Sequence, residues 1–178
     1  MNRFLICAAL GGMATSLVAG PSAAQTPSAD TGTSMAVRVG SFSPAKSYAR
    51  SESGNGIFSI EADLTLQRVP ERHESSVLSI GYIEKNNLRI LPLTLSQITH
   101  DRRRTSGYDF YYGYGVGLYS IRLGGASTTG NTKVMPGALA TFGLNLSDST
   151  FVEARYHYTS DYESKDVRGL QLSLGVRF

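Results

Sequence analysis

Two stretches of this chain alternate in strict period two. Phe58, Ile60, Ala62, Leu64 and Leu66 interleave with Ser59, Glu61, Asp63, Thr65 and Gln67, and Leu170, Leu172, Leu174, Val176 and Phe178 interleave with Gln171, Ser173, Gly175 and Arg177. Successive side chains of an extended strand point to opposite faces, so each stretch reads as a strand with one apolar and one polar side. A helix would scatter the same apolar residues around its circumference. The pattern recurs at Met35–Phe42, Ser75–Glu84, Leu88–Thr99, Tyr108–Arg122, Lys133–Leu146 and Ser149–Ser160. Eight strands of roughly 9–11 residues follow, the length a tilted strand needs to cross a bilayer. No stretch after the first 24 residues carries a helical period.

Which face turns inward decides between two kinds of closed barrel. A soluble, lipocalin-like barrel holds apolar side chains inside and shows polar ones to water. Here the apolar face is continuous and rich in Leu, Val, Phe and Tyr. The other face is Gly, Ser, Thr and charges, such as Gly113, Gly115 and Gly117 against Tyr112, Tyr114 and Val116. That pairing predicts lipid outside and a polar lumen inside. Tyr108, Tyr112, Tyr114, Tyr156 and Tyr158 are candidates for the aromatic girdles at the two membrane interfaces.

The first 24 residues read as a cleaved secretory signal. Arg3 precedes an apolar run from Phe4 to Ala19, and Ser22-Ala23-Ala24 supplies the small residues before a cut at Gln25. Residues 25–34 form a polar lead-in, expected to be a flexible tail, and 35–178 form the barrel domain. Cys7 lies in the signal, so the mature chain would hold no disulfide. The formal charge of +3 is too small to argue for a nucleic-acid partner.

An even strand number places both termini on the periplasmic side. Three of the four outward connections are then long, as bacterial barrels prefer, and the Leu146–Asp148 turn on the inner side is short. The outer Glu84–Asn87 connection is shorter than that rule expects, and the inner Thr99–Gly107 connection is longer.

The chain resembles the small outer-membrane barrels typified by the membrane domain of OmpA, by OmpX and by OmpW. The residues that carry the likeness are the signal, the run Tyr112-Gly113-Tyr114-Gly115-Val116-Gly117-Leu118-Tyr119, the run Phe151-Val152-Glu153-Ala154-Arg155-Tyr156, and the ending Arg177-Phe178. The resemblance implies an all-β, closed antiparallel transmembrane barrel in the bacterial outer membrane. It also implies that Leu170, Leu172, Leu174, Val176 and Phe178 form the signal read by the barrel-assembly machinery. No peptidoglycan-binding domain is expected after Phe178.

Three sets of residues are candidate sites. Arg38, Glu61, Asp63, Glu153, Arg155 and Arg177 share inward phase on the first, second, seventh and eighth strands, which become neighbours when the barrel closes. Counting along the strands sets Arg38 near Asp63, Glu61 near Arg155, and Glu153 near Arg177, an ionic network inside the lumen. Arg89, Arg122 and Arg168 share outward phase at the outer rim, where a guanidinium can grip lipopolysaccharide phosphate. The Arg102-Arg103-Arg104 run reads as a solvated turn.

His157 deserves a test as an enzyme site, because outer-membrane lipid A deacylases carry a His-x-Ser pair near their end. Here Thr159 follows His157 by two, and position 171 on the last strand is Gln rather than an acid, so a base-activated nucleophile lacks its parts. His73 and His100 stand apart from His157, and no metal spacing appears. The expectation is a non-enzymatic barrel without a cofactor, with a structural or surface-interaction role and a largely plugged lumen. A narrow channel for small or hydrophobic solutes is the alternative, and a lipid A-modifying enzyme is third. The expected partners are outer-membrane lipids, lipopolysaccharide and the assembly machinery.

Overall fold

A computed structural model describes residues 34–45, 50, 54, 56–86, 88–101, 109–123, 132–160 and 167–178. The proposed signal 1–24, the lead-in up to residue 33 and Arg102–Arg104 lie outside them. Eight strands form one closed antiparallel barrel in chain order. They are β1 (Met35–Pro44), β2 (Ile57–Val69), β3 (Glu74–Lys85), β4 (Leu88–Asp101), β5 (Asp109–Leu123), β6 (Thr132–Asn145), β7 (Thr150–Thr159) and β8 (Gly169–Arg177).

Closure comes from β1 and β8. Val37 pairs with Val176 and Arg38 with Gly175, so both potential sheet edges are used. Several strands run past the alternating stretches. β1 continues to Pro44 because β8 pairs it down to Gly169. β4 continues through His100 to Asp101 because β5 pairs it as far as Phe110. In both places a neighbouring ladder, rather than side-chain alternation, holds the backbone extended. The β3–β4 turn holds Asn86 at φ 53°, a left-handed conformation that Asn tolerates better than most residues. Between β2 and β3 the register slips by one residue at Thr65/Gln67, ahead of a single 3-10 turn at Pro70–Arg72.

The barrel is apolar outside. Tyr114 is 68% exposed and Leu172 is 57% exposed, while Arg38 and Arg155 on the inner face are each 1% exposed. A water-soluble barrel would show the reverse, because contiguous exposed apolar surface of this extent is unfavourable in water.

The lumen is layered rather than uniformly polar. At the end opposite the termini, Phe42, Ile57, Ile83, Leu88, Ile121 and Met135 belong to one buried apolar cluster. The middle layer carries Arg38, Glu61, Ser79, Thr94, Thr141 and Gln171, all buried. At the end with the termini, Val77, Ile98, Tyr111 and Phe151 form a smaller apolar group. The polar face read from the sequence therefore describes the middle of the lumen, and the end opposite the termini packs as a protein core does.

Candidate functional site in the barrel lumen

The middle layer is built from strands on both sides of the lumen. Arg38 on β1 pairs with Glu61 across the β1–β2 ladder, and Asp63 follows one inward position along β2. The Arg38 guanidinium makes ion pairs with both carboxylates. Glu153 and Arg155 sit two apart on β7 and so share its inner face. Between β7 and β1 lies β8, which turns Ser173 and Gly175 inward, opposite Glu153 and Arg38 respectively. Both are small residues, and Arg38 Nη1 lies 3.6 Å from Glu153 Oε1.

Arg155 closes the network across the lumen. Its Nε lies 2.5 Å from Glu153 Oε1, Nη1 lies 3.2 Å from Glu61 Oε2, and Nη2 lies 3.5 Å from Asp63 Oδ2. Nη1 also lies 3.3 Å from Ser79 Oγ on β3. The Tyr111 hydroxyl on β5 donates to Glu153 Oε2 at 2.9 Å. Two guanidiniums and three carboxylates thus tie together β1, β2, β3, β5 and β7. Charges taken out of water are tolerated when each is paired and hydrogen-bonded, and losing one partner is costly.

Arg177 stands apart from this set. Its guanidinium lies over the Phe151 ring at 4.5 Å and the Tyr111 ring at 5.6 Å, a cation–π position. The partners that surround Glu153 are Arg155, Arg38 and Tyr111, not the Arg177 expected from residue counting. The reason is Phe151, two residues before Glu153 on the same inner face and paired with Gly175, which takes the space beside Arg177.

His157 is buried, and both ring nitrogens have neighbours. Nδ1 lies 3.2 Å from the Tyr119 hydroxyl and Nε2 lies 3.0 Å from Gln171 Oε1. With Nε2 protonated, the ring donates to Gln171 and accepts from Tyr119, which leaves neither nitrogen to take a proton from a nucleophile. Among the described residues no group of three His, Cys, Asp or Glu side chains could hold a metal ion.

A cavity of about 600 Å³ occupies the end with the termini. Its lining runs from Ser34, Arg68 and Asp148 to Asp63, Glu153 and Arg155 of the ionic layer.

The outward-phase arginines divide. Arg89 and Arg122 are direct partners across β4 and β5. Arg168 precedes β8, on the opposite side of the ring of strands from β4, with its guanidinium 5.0 Å from the centre of the Tyr158 ring. Leu170, Leu172, Leu174 and Val176 face outward from β8. Phe178 is also exposed, and its backbone N–H donates to Met35 O at 2.8 Å.

Similar geometry is found in solved structures. The crystal structure of Neisserial surface protein A is similar with a TM-score of 0.61 and 17% identity, over 85% of this chain and 98% of that one. The chain has the fold of small outer-membrane β-barrels. Two further examples are the N-terminal β-barrel domain of Pseudomonas aeruginosa OprF, at a TM-score of 0.53, 16% identity and coverage of 84% and 99%, and the Yersinia pestis outer membrane protein Ail in a phospholipid bilayer nanodisc, at 0.52, 13% and 82% and 99%. No protein-family model matches the chain, and no curated protein matches it by sequence. The outer-membrane-barrel fold accounts for the inside-out distribution of side chains, since a closed barrel satisfies every backbone group in lipid without exposing an edge.

Alternation alone did not find the apolar layer. A signal was present: Leu88, Ile90 and Ile98 occupy the same phase of β4 as Thr94 and Ser96, so the inward face of that strand turns apolar near its ends.

Proposed function

We propose that this chain is an integral protein of the bacterial outer membrane, with a structural or surface-interaction role and no catalytic activity. The termini lie in the periplasm in this reading, and the connections 45–56, 86–87, 124–131 and 160–168 face outward. The observation that carries it is the inversion of faces: a continuous apolar exterior around a lumen whose buried charges bind one another. Lipids of that membrane are its surroundings, and the barrel-assembly machinery is the partner that the β8 ending fits. The absence of catalysis rests on His157, whose neighbours are Tyr119 and Gln171 rather than an acid and a nucleophile. The test is membrane fractionation combined with gel mobility before and after boiling. An outer-membrane protein that runs faster unboiled supports the reading, and a soluble or inner-membrane protein contradicts it.

A second reading, a narrow conduit, draws on the cavity of about 600 Å³. The ionic layer and the Phe42 cluster lie beyond its floor, one above the other. A continuous path would need both to part, so a closed lumen is the favoured reading.

A further inference from the structure

Three charged residues stand in one row on the outer wall, across β3, β4 and β5. Glu84 pairs with Arg89, and Arg89 pairs with Arg122. Each shares the phase of exposed apolar neighbours on its strand: Glu84 that of Ile80, Arg89 that of Leu91, Arg122 that of Leu118. The row sits where these strands end, at the rim opposite the termini.

The row is short of negative charge. Like charges directly opposite across a ladder repel, and the row's one carboxylate pairs with only one of its two guanidiniums. Glu84 Oε1 accepts from Arg89 Nε at 3.1 Å and from Nη2 at 2.9 Å, and its other oxygen accepts from the Tyr82 hydroxyl. The Arg89 guanidinium lies 5.8 Å from the centre of the Tyr82 ring, which holds it against the wall. Arg122 has no partner among the described residues. Its planar fork of N–H donors is suited to two oxygens of one phosphate.

We infer that Arg89 and Arg122 form a phosphate site on the outer wall of the barrel, filled by the headgroup phosphate of a membrane lipid. The inference rests on the barrel being inserted in a bilayer. A lipid is the source because the row continues the apolar exterior, not the lumen. A phosphate there neutralises the repulsion between the two guanidiniums, and their stems stay along the apolar wall. Arg168, on the far side of the barrel and stacked on Tyr158, is not part of the site.

The experiment compares wild type, an Arg89→Gln/Arg122→Gln double variant, Arg122→Lys and Arg168→Gln in phosphatidylcholine nanodiscs containing lipid A. Native mass spectrometry counts the lipid A retained by each barrel. The double variant should bind lipid A roughly tenfold more weakly, as expected for losing charge-assisted hydrogen bonds. Arg122→Lys, which keeps the charge and loses the fork, should fall between, and it stays informative if the double variant fails to fold. Arg168→Gln should match wild type. Dephosphorylated lipid A should bind wild type and the double variant alike. Equal lipid A retention by all four proteins overturns the site, and so does displacement of lipid A by inorganic phosphate, which would make the ligand a soluble ion. Gel mobility of the same samples reports insertion separately. A wild type that does not insert overturns the membrane reading instead.

Discussion

The Tyr111 ring lies directly over Gly143, its partner across β5 and β6. A methyl group at position 143 would stand 2.0 Å from Tyr111 Cζ. The same relation recurs at Phe151 over Gly175, where a Cβ would come within 2.2 Å of the ring. Inward aromatics thus fill a narrow lumen by lying across strands that offer no side chain beneath them. Tyr111 cannot easily swing away, because its hydroxyl is bound to Glu153. Gly143→Ala should therefore destabilise the barrel by about 1–3 kcal/mol, the usual cost of overpacking. Urea unfolding in detergent micelles measures it. A change within 0.5 kcal/mol, the typical size for an unstrained surface site, would show that the ring has room to move.

The ionic layer predicts coupling between residues far apart in sequence. Glu61 and Arg155 meet at 3.2 Å across the lumen. Removing one partner of such a pair should cost about 3–5 kcal/mol. Glu61→Gln, Arg155→Gln and the double variant together form a cycle, and residues in one network should couple by about 0.5–3 kcal/mol. Additive losses would mean that the two charges act independently.

Much of this was legible in the sequence. The alternation from Phe58 to Gln67 specified a strand, and the phase of Arg38, Glu61, Asp63, Glu153 and Arg155 placed all five on the inner face. Parity is a local property and survives any tilt of the strand. What residue counting misjudged was level along the barrel axis, which depends on stagger between strands. Counting alone sets Glu153 beside Arg177 for that reason, whereas the structure sets it against Arg155 and Arg38. The apolar layer around Phe42 was hidden for another reason. Residues such as Ile57 and Leu88 stand at strand ends, where one apolar residue out of phase looks like a boundary. The Tyr111–Gly143 contact depends on register, which a single strand does not contain.

The exposed apolar wall gives a prediction that separates a membrane barrel from a soluble one. Val116 is 57% exposed near the middle of β5. In water, arginine there would be nearly neutral. In a bilayer, Val116→Arg should cost about 2–4 kcal/mol, falling toward zero for the same change near a strand end. Refolding equilibria in phospholipid vesicles measure this. A neutral effect at Val116 would place that face in water.

Phe178 adds one backbone hydrogen bond to Met35 at the β1–β8 seam, and its exposed ring follows four outward residues of β8 in step. Deleting Phe178 should lower the folded outer-membrane fraction in cells and raise periplasmic degradation. Purified protein should still refold in detergent, because the remaining β1–β8 pairs are intact. Normal assembly in cells would remove the proposed role of this ending.

A membrane-inserted barrel whose lumen is closed by its own side chains should carry no ion current, and planar-bilayer conductance measures this. Wild type should insert without resolvable ion steps. A variant that thins both closing layers, Phe42→Ala together with Arg155→Ala, should open a small conductance if it still shows the unboiled gel shift. Steady conductance from the wild-type barrel would mean that its lumen is open.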